Sequence, residues 1–294
     1  MSAEERVVES AQRRVRTPEP LDMHIGQVLL RAGKLTESDI KRIVTMQSTR
    51  EVRFGDAALS LGMVDRRDIQ QALSLQFAYP YLRAGESPLS DELMTAYQPF
   101  SAQAEAMRKL RTELSMRWFG KHKTLAIVSA REAEGASAVA SNLAIAFAQS
   151  GERTLLIDAN FRTPRQHELF GLAAESGLST VLVGRSSFDD ALSPIDLFDN
   201  LSILCTGPIP PNPQELLARV SFSYVMETAP EAFDVVLVDA PPLLEYADAQ
   251  TIVARTGGCL LAMRRHATRV ADVEQARVLL APAAATLVGT VLCS

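Results

Sequence analysis

Six short runs of almost uninterrupted apolar residues mark the later part of the chain: TLAIVSA (124–130), RTLLIDA (153–159), LSILCTG (201–207), FDVVLVDA (233–240), CLLAMRR (259–265) and LVGTVLC (287–293). A strand wetted on one face alternates apolar with polar residues. These runs do not alternate, which predicts strands covered on both faces of a parallel sheet. Helical periodicity fills the intervals, as in SAVASNLAIAFAQS (137–150). Strand–helix alternation over residues 105–294 predicts an α/β domain built on a doubly wound, mostly parallel sheet.

Upstream the pattern changes and then repeats. HIGQVLLRAGKLTESDIKRIVTMQ (24–47) and RFGDAALSLGMVDRRDIQQALSLQ (53–76) have the same length and are five residues apart. Gly26/Gly55, Leu30/Leu59, Gly33/Gly62, Asp39/Asp68, Ile40/Ile69 and Gln47/Gln76 are identical at that offset, which marks a tandem repeat. Each unit reads as a short helix stopped at its second glycine, followed by a polar cap (Thr36 or Asp65) and a second helix. Apolar residues follow at 40, 43 and 44 or at 69, 72 and 73. A small all-α domain over residues 21–84 is therefore expected. Residues 1–20, polar and ending in Thr-Pro-Glu-Pro, read as a disordered lead-in. Residues 85–104, with Pro, Gly and Ser and weak periodicity, read as a linker.

Charge narrows the partners. Thirty basic and 35 acidic side chains leave −5, which argues against a nucleic-acid polymer or a polybasic membrane arm. No run approaches the roughly 18 apolar residues of a membrane-spanning helix. The first residues lack the apolar centre of a secretory signal, so a cytoplasmic location is expected. Cys205, Cys259 and Cys293 are far apart and read as small buried hydrophobes in a reducing compartment. The four histidines are scattered, with none at metal-ligand spacing.

Ligands of a doubly wound sheet bind beyond the carboxyl ends of its strands. The first strand ends in SAREAEGAS (129–137) and enters a helix. Ala130, Gly135 and Ser137, with Glu134 and Ala136 among them, fit a Walker A loop, in which backbone N–H groups and the helix N-terminus hold phosphate. Ala136 stands where a lysine would reach the β- and γ-phosphates. Loss of one such preorganised group costs about 3–4 kcal/mol, or 10²–10³ in rate. LLIDANFR places Asp158 and Arg162 at the second strand end, and VVLVDAPP places Asp239 to act on Mg²⁺ through a water. Any one of these aspartates could be a plain turn or cap; three strand ends in this order point to a nucleotide site.

Residues 100–294 resemble the bacterial tyrosine kinases, P-loop kinases that regulate capsule and exopolysaccharide export. SAREAEGAS stands for that family's Ser-Ala-x-Pro-Gly-Glu-Gly-Lys-Ser, LLIDANFR for its second Walker motif and VDAPP for its Walker B; RTPRQHELFGL, GLSTVL and GPIPPNPQELL also follow its pattern. The resemblance implies that Asp158 accepts a tyrosine hydroxyl proton, with Arg162 in the same catalytic motif. It further implies that Ser137 and Asp239 hold the Mg²⁺ of Mg·ATP. Glu105, Arg108 and Arg111 match its Glu-x-x-Arg-x-x-Arg motif, which implies a homo-oligomer. Three departures bear on catalysis: Ala136 for lysine, Asn160 for the second aspartate of its motif, and a tail, GTVLCS, without a tyrosine cluster. Arg131 is the cation nearest in sequence that could stand in for the lysine.

Residues 24–76 resemble the N-terminal domain of type II secretion ATPases, whose cyclic-di-GMP-binding form carries two 24-residue motifs separated by five residues. The resemblance places ligand contacts at His24, Ile25, Gly26, Ile40, Val44 and Gln47, and at Arg53, Phe54, Gly55, Asp56, Ile69, Leu73 and Gln76. An arginine presents a planar fork to the guanine edge; His24 stands in that place in the first motif and makes no bidentate contact of that kind. Ile40, Val44, Ile69 and Leu73 also fit the core of a four-helix unit, an alternative that the sequence leaves open.

The two resemblances together imply a cytoplasmic regulator of exopolysaccharide chain length and export. It would reach the inner membrane through a polysaccharide co-polymerase partner and sense cyclic-di-GMP. Its phosphoryl transfer from Mg·ATP to tyrosine would be impaired by Ala136. The alternatives are a pseudokinase scaffold, a partitioning-type P-loop ATPase and a secretion-system accessory protein. Partitioning ATPases carry an additional lysine early in the loop, where this chain has Ser129, Ala130 and Arg131.

Overall fold

The computed structural model describes residues 24–76 and 87–293. The chain divides into two compact units, Met1–Pro80 and Tyr81–Ser294. The expected lead-in (1–20) lies outside the described residues.

Among the described residues the first unit has four helices, α1 (Ile25–Arg31), α2 (Glu37–Arg50), α3 (Phe54–Ser60) and α4 (Arg66–Gln76). Each repeat forms one helix pair, and the boundaries have local causes. Gly33 and Gly62 take left-handed φ values of 67° and 64° just beyond the first helix of each pair, a conformation that costs an L-residue strain. Thr36 then caps α2: its hydroxyl accepts from the Asp39 N–H while the Asp39 carboxylate accepts from the Thr36 N–H. Asp65 and Asp68 make the same reciprocal pair at α4. The Lys34 ammonium lies 2.8 Å from Asp68 and ties one repeat to the other. The core is formed by Val28, Leu29, Leu35, Ile43, Ala57, Ala58, Val64 and Ala72. Ile43 is fully buried, whereas Val44 beside it is 46% exposed. Ile40, Ile69 and Leu73 are only half-buried. Of the apolar positions on α2 and α4, 43 and 72 therefore lie in the core, 40 and 69 pack partly buried against it, and 44 remains at the surface.

The second unit is an α/β fold with a seven-stranded sheet: β1 (Thr124–Ser129), β2 (Thr154–Asp158), β3 (Ser193–Pro194), β4 (Leu201–Leu204), β5 (Val235–Asp239), β6 (Gly258–Arg264) and β7 (Thr286–Cys293). Its order is β3-β4-β2-β5-β1-β6-β7, parallel throughout except for β3, a two-residue antiparallel edge that the apolar pattern does not announce. Its helices are α5 (Met94–Tyr97), α6 (Ala102–Leu114), α7 (Ala136–Ala148), α8 (Gln166–Leu169), α9 (Leu178–Leu182), α10 (Pro213–Leu217), α11 (Val220–Ala232), α12 (Asp248–Thr256) and α13 (Val270–Leu280). Alternate residues of each central strand enter different cores. Leu125, Ile127 and Leu156 pack with α7, whereas Ala126, Val128 and Ile157 pack with α11 and α12. Two-sided burial is why these strands read as continuous apolar runs. α7 is buried nearly all round, and its alanines let it lie close against the sheet.

The stretch expected as a linker differs from that expectation. From residue 87 on it belongs to the second unit: Leu93 and Ala96 are fully buried, and the Thr95 N–H donates to the Asn142 side chain of α7 at 2.8 Å. Its weak periodicity reflects a short helix packed through a few residues and a side-chain hydrogen bond. Cys293 also differs, being half-buried where Cys205 and Cys259 are buried. Among the described residues no helix is long and apolar enough to cross a membrane.

Removing the reciprocal cap tests the helix-pair assignment. Thr36→Ala is expected to lower the local stability of α2 by about 1 kcal/mol, read as faster amide hydrogen exchange in residues 37–50 with α7 unchanged.

Candidate functional site

β1 ends at Ser129 and the chain loops once before α7 begins at Ala136. Two residues make the loop turn back on itself, Gly135 at φ 94° and Ala133 at φ 59°. Ala133 stands at the family's glycine and holds a left-handed conformation that an alanine adopts at a cost of roughly 1 kcal/mol or more, a strain typical of functional loops. The amides of a helix's first turn have no partner within the helix, so the start of α7 presents donors to the loop cavity. This 240 Å³ cavity is lined by Glu132 to Ser137, by Asn160 and Arg165 from the loop after β2, and by Pro242 after β5.

Glu134 is 4% exposed and turned inward. Its Oε2 accepts from the N–H groups of Ala130 and Arg131, both at 2.9 Å, and its Oε1 accepts from the Thr268 hydroxyl at 2.6 Å. The Ala130 amide is therefore taken by the loop's own carboxylate, and Ala130 does not line the cavity. Arg264 donates to the Ala133 carbonyl at 2.9 Å and braces the loop from outside. Arg131 is drawn away to Asp272 at 3.0 Å, so the expected stand-in for the lysine is engaged elsewhere. The Ala136 methyl packs into the hydrophobic core beside α7.

Behind the loop, Asp158 and Asp239 are paired in register across β2 and β5, and both are fully buried. The Asp158 carboxylate accepts from the N–H groups of Asn160 (3.2 Å), Arg165 (3.2 Å) and Gln166 (3.0 Å). Asp239 Oδ2 accepts from Gln166 Nε2 at 2.7 Å, while its Oδ1 is buried without a hydrogen-bond partner. Burial, and then the Asp239 charge, hold the Asp158 carboxyl well above the usual carboxylate range, against the pull of its three amide donors. Burial pushes Asp239 up as well, against hydrogen bonds from Gln166 and Ser137 and the charge of Arg165.

Gln166 is the site residue that motif reading missed. It is fully buried; Nε2 donates to Asp239 and to the Ser137 carbonyl (3.2 Å), and Oε1 accepts from the Ser141 hydroxyl at 2.7 Å. It ties both aspartate strands to the start of α7. A glutamine among polar residues gives no periodic signal.

Arg162 lies apart from the cavity. Its guanidinium forks onto Asp248 (2.7 and 3.3 Å) and stacks over the Tyr246 ring with its centre 4.8 Å from the centroid, an ion pair that raises its already high pKa. Asn160 closes its own turn, accepting from the Arg162 and Thr163 amides and donating to the Thr163 hydroxyl. Glu105 and Arg108 pair at 2.7 Å, and Arg111 donates to the Ala146 carbonyl of α7 at 3.1 Å. The triad is thus engaged within its own subunit.

The helical unit has a separate cavity of 380 Å³. Eight of the thirteen positions expected to contact cyclic-di-GMP line it: His24, Ile25, Gly26, Ile40, Val44, Gln47, Phe54 and Gln76, together with Gln27. Arg53, Gly55, Asp56, Ile69 and Leu73 are not among its walls. The close approach of Phe54 explains Gly26, where an added Cβ would meet the ring at 3.0 Å.

The sheet order and the loop between β1 and α7 define the second unit as a P-loop nucleotide-binding fold. No protein-family model matches the chain. Tyrosine-protein kinase YwqD of Bacillus subtilis is 34% identical over 207 residues, 70% of this chain and 87% of its own. Two solved structures are similar: the kinase domain of the Escherichia coli tyrosine kinase ETK (31% identity, TM-score 0.65, 68% of this chain and 78% of its own) and the chimerical protein CapA2B2 (30%, 0.66, 76% and 97%). The chain belongs to the bacterial tyrosine-protein kinase family.

The paired aspartates make stability pH-dependent. Both folded-state pKa values lie above the ordinary value near 3.8, Asp239 at about 6, so the protonated forms favour the fold and the Asp239 contribution is lost as pH rises from about 4 through about 6. Asp239→Asn keeps the shape and removes one charge. It is expected to melt several degrees above the natural protein at pH 7.5, with the difference vanishing near pH 4, as read by thermal unfolding across pH.

Proposed function

We propose that this protein is a nucleotide-binding regulator of exopolysaccharide chain length and export, a tyrosine-kinase-type protein with weakened phosphoryl transfer. The observation that carries the reading is the 129–137 loop: it keeps the left-handed turn and helix start of a phosphate cradle beside two strand-end aspartates, yet has a methyl group where the cation belongs. The α7 amides hold the phosphates of ATP. Ser137 and Asp239 hold Mg²⁺, for which the unpartnered, buried Oδ1 of Asp239 is a fitting acceptor. When bound, the metal supplies positive charge at the phosphate oxygens.

Asp158 takes the proton of a tyrosine hydroxyl. Its raised proton affinity favours taking up that proton. The turn from Asn160 to Gln166 covers it, so an acceptor reaches it only if this turn moves. Arg162 anchors that turn to Asp248. Through Glu105, Arg108 and Arg111 the protein assembles with copies of itself, and an inner-membrane polysaccharide co-polymerase brings it to the membrane.

The helical unit senses cyclic-di-GMP. Support comes from the exposure of Val44, an apolar side chain on the wall of a cavity and outside the core. A pseudokinase that reports the dinucleotide without phosphoryl transfer is the second reading; Ala136 and the engagement of Asn160 in its own turn favour it.

Calorimetric titration of the full-length protein tests both ligands. Mg·ATP is expected to bind saturably, with transfer to tyrosine roughly 10²–10³ slower than in Ala136→Lys; absence of binding in both proteins would refute the nucleotide site. Cyclic-di-GMP is expected to bind at micromolar concentration, and Val44→Glu to weaken it at least tenfold while leaving the fold intact. Equal affinity in that variant would remove the cavity from the account.

A further inference from the structure

The cavity of the loop has one basic side chain on its wall among the described residues, Arg165. The other nearby arginines are committed. Arg131 is held by Asp272, Arg162 by the buried Asp248 and the Tyr246 ring, and Arg264 donates to the Ala133 carbonyl. Arg165 is placed differently. Its backbone N–H is fixed to Asp158 at the base of the site, while its side chain is 42% exposed and pairs with Glu92, itself 49% exposed, at 2.6 Å. An ion pair open to water on both sides is weakly held and readily exchanged for a more highly charged anion. A guanidinium offers a planar fork matched to phosphate oxygens, so it can replace an ammonium there although it arrives from another element.

We infer that Arg165 supplies the cation for the nucleotide phosphates in place of the absent loop lysine, and that Glu92 competes with the nucleotide for it. The inference rests on the nucleotide-binding reading and names the side chain on which that reading depends. Glu92 lies just ahead of α5, in the segment whose Leu93 and Thr95 are buried against α7. The position of that segment therefore sets how much of the guanidinium is available to phosphate.

The test is Mg·ATP affinity of the full-length protein and five variants. Arg165→Gln is expected to weaken binding roughly 10- to 100-fold, the worth of a charge-assisted contact, and Arg165→Lys to restore part of the loss. Glu92→Gln breaks the same ion pair from the other side and is expected to tighten binding severalfold. A merely structural ion pair would make both substitutions weaken binding, which would overturn the inference. Arg165→Gln combined with Ala136→Lys is expected to bind like Ala136→Lys alone. If the natural protein binds and Arg165→Gln binds equally well, the inference fails and the nucleotide site stands. If only proteins carrying Ala136→Lys bind, no cation replaces the lysine and the inference also fails. If no protein binds, the nucleotide reading itself is wrong.

Discussion

Two carboxylates facing each other from adjacent strands, both sealed from water, are the constraint around which the second unit is arranged. Asp158 and Asp239 come into register because β2 and β5 pair in parallel, and nothing in that pairing neutralises them. Three backbone amides, one glutamine and the start of α7 supply what compensation there is. The turn after β2 folds back over Asp158 because that carboxylate gathers its N–H groups, and the same turn brings Arg165 to the loop cavity. The Asp239 oxygen without a hydrogen-bond partner is a cost to stability that the fold carries at this strand end.

Much of this was legible in the sequence because it is carried by strong, regular signals. Continuous apolar runs gave six of the seven strands; β3 escaped because two residues carry no period. The repeat gave four helices with their caps at Thr36 and Asp65, since a reciprocal side-chain bond demands particular residues at fixed spacing. The split between core and surface within each helix was not legible. Ile40, Ile43 and Val44 are equally apolar, and which one is buried depends on how the pairs pack. The same limit hid Gln166 and Arg165, whose importance comes from what the turn after β2 places beside them. It also made Arg131 seem available, because sequence proximity to the loop says nothing of Asp272 arriving from α13.

The core of the helical unit includes Ile43 and Ala72, while Ile25, Ile40 and Phe54 both pack against that core and line the cavity. The two repeats nevertheless meet the cavity unequally: the first gives His24, Ile25, Gly26, Ile40, Val44 and Gln47, the second Phe54 and Gln76. Phe54 occupies space under Gly26 that a smaller residue would leave open.

Glu134 gives the loop a property of a different kind. By occupying the Ala130 and Arg131 amides with its own carboxylate, the loop carries a resident anion that holds its curvature without any visitor. Its curvature is therefore set by bonds within the chain: the turn is braced by a carboxylate two residues ahead of Ala136, and the Ala136 side chain takes no part in that bracing.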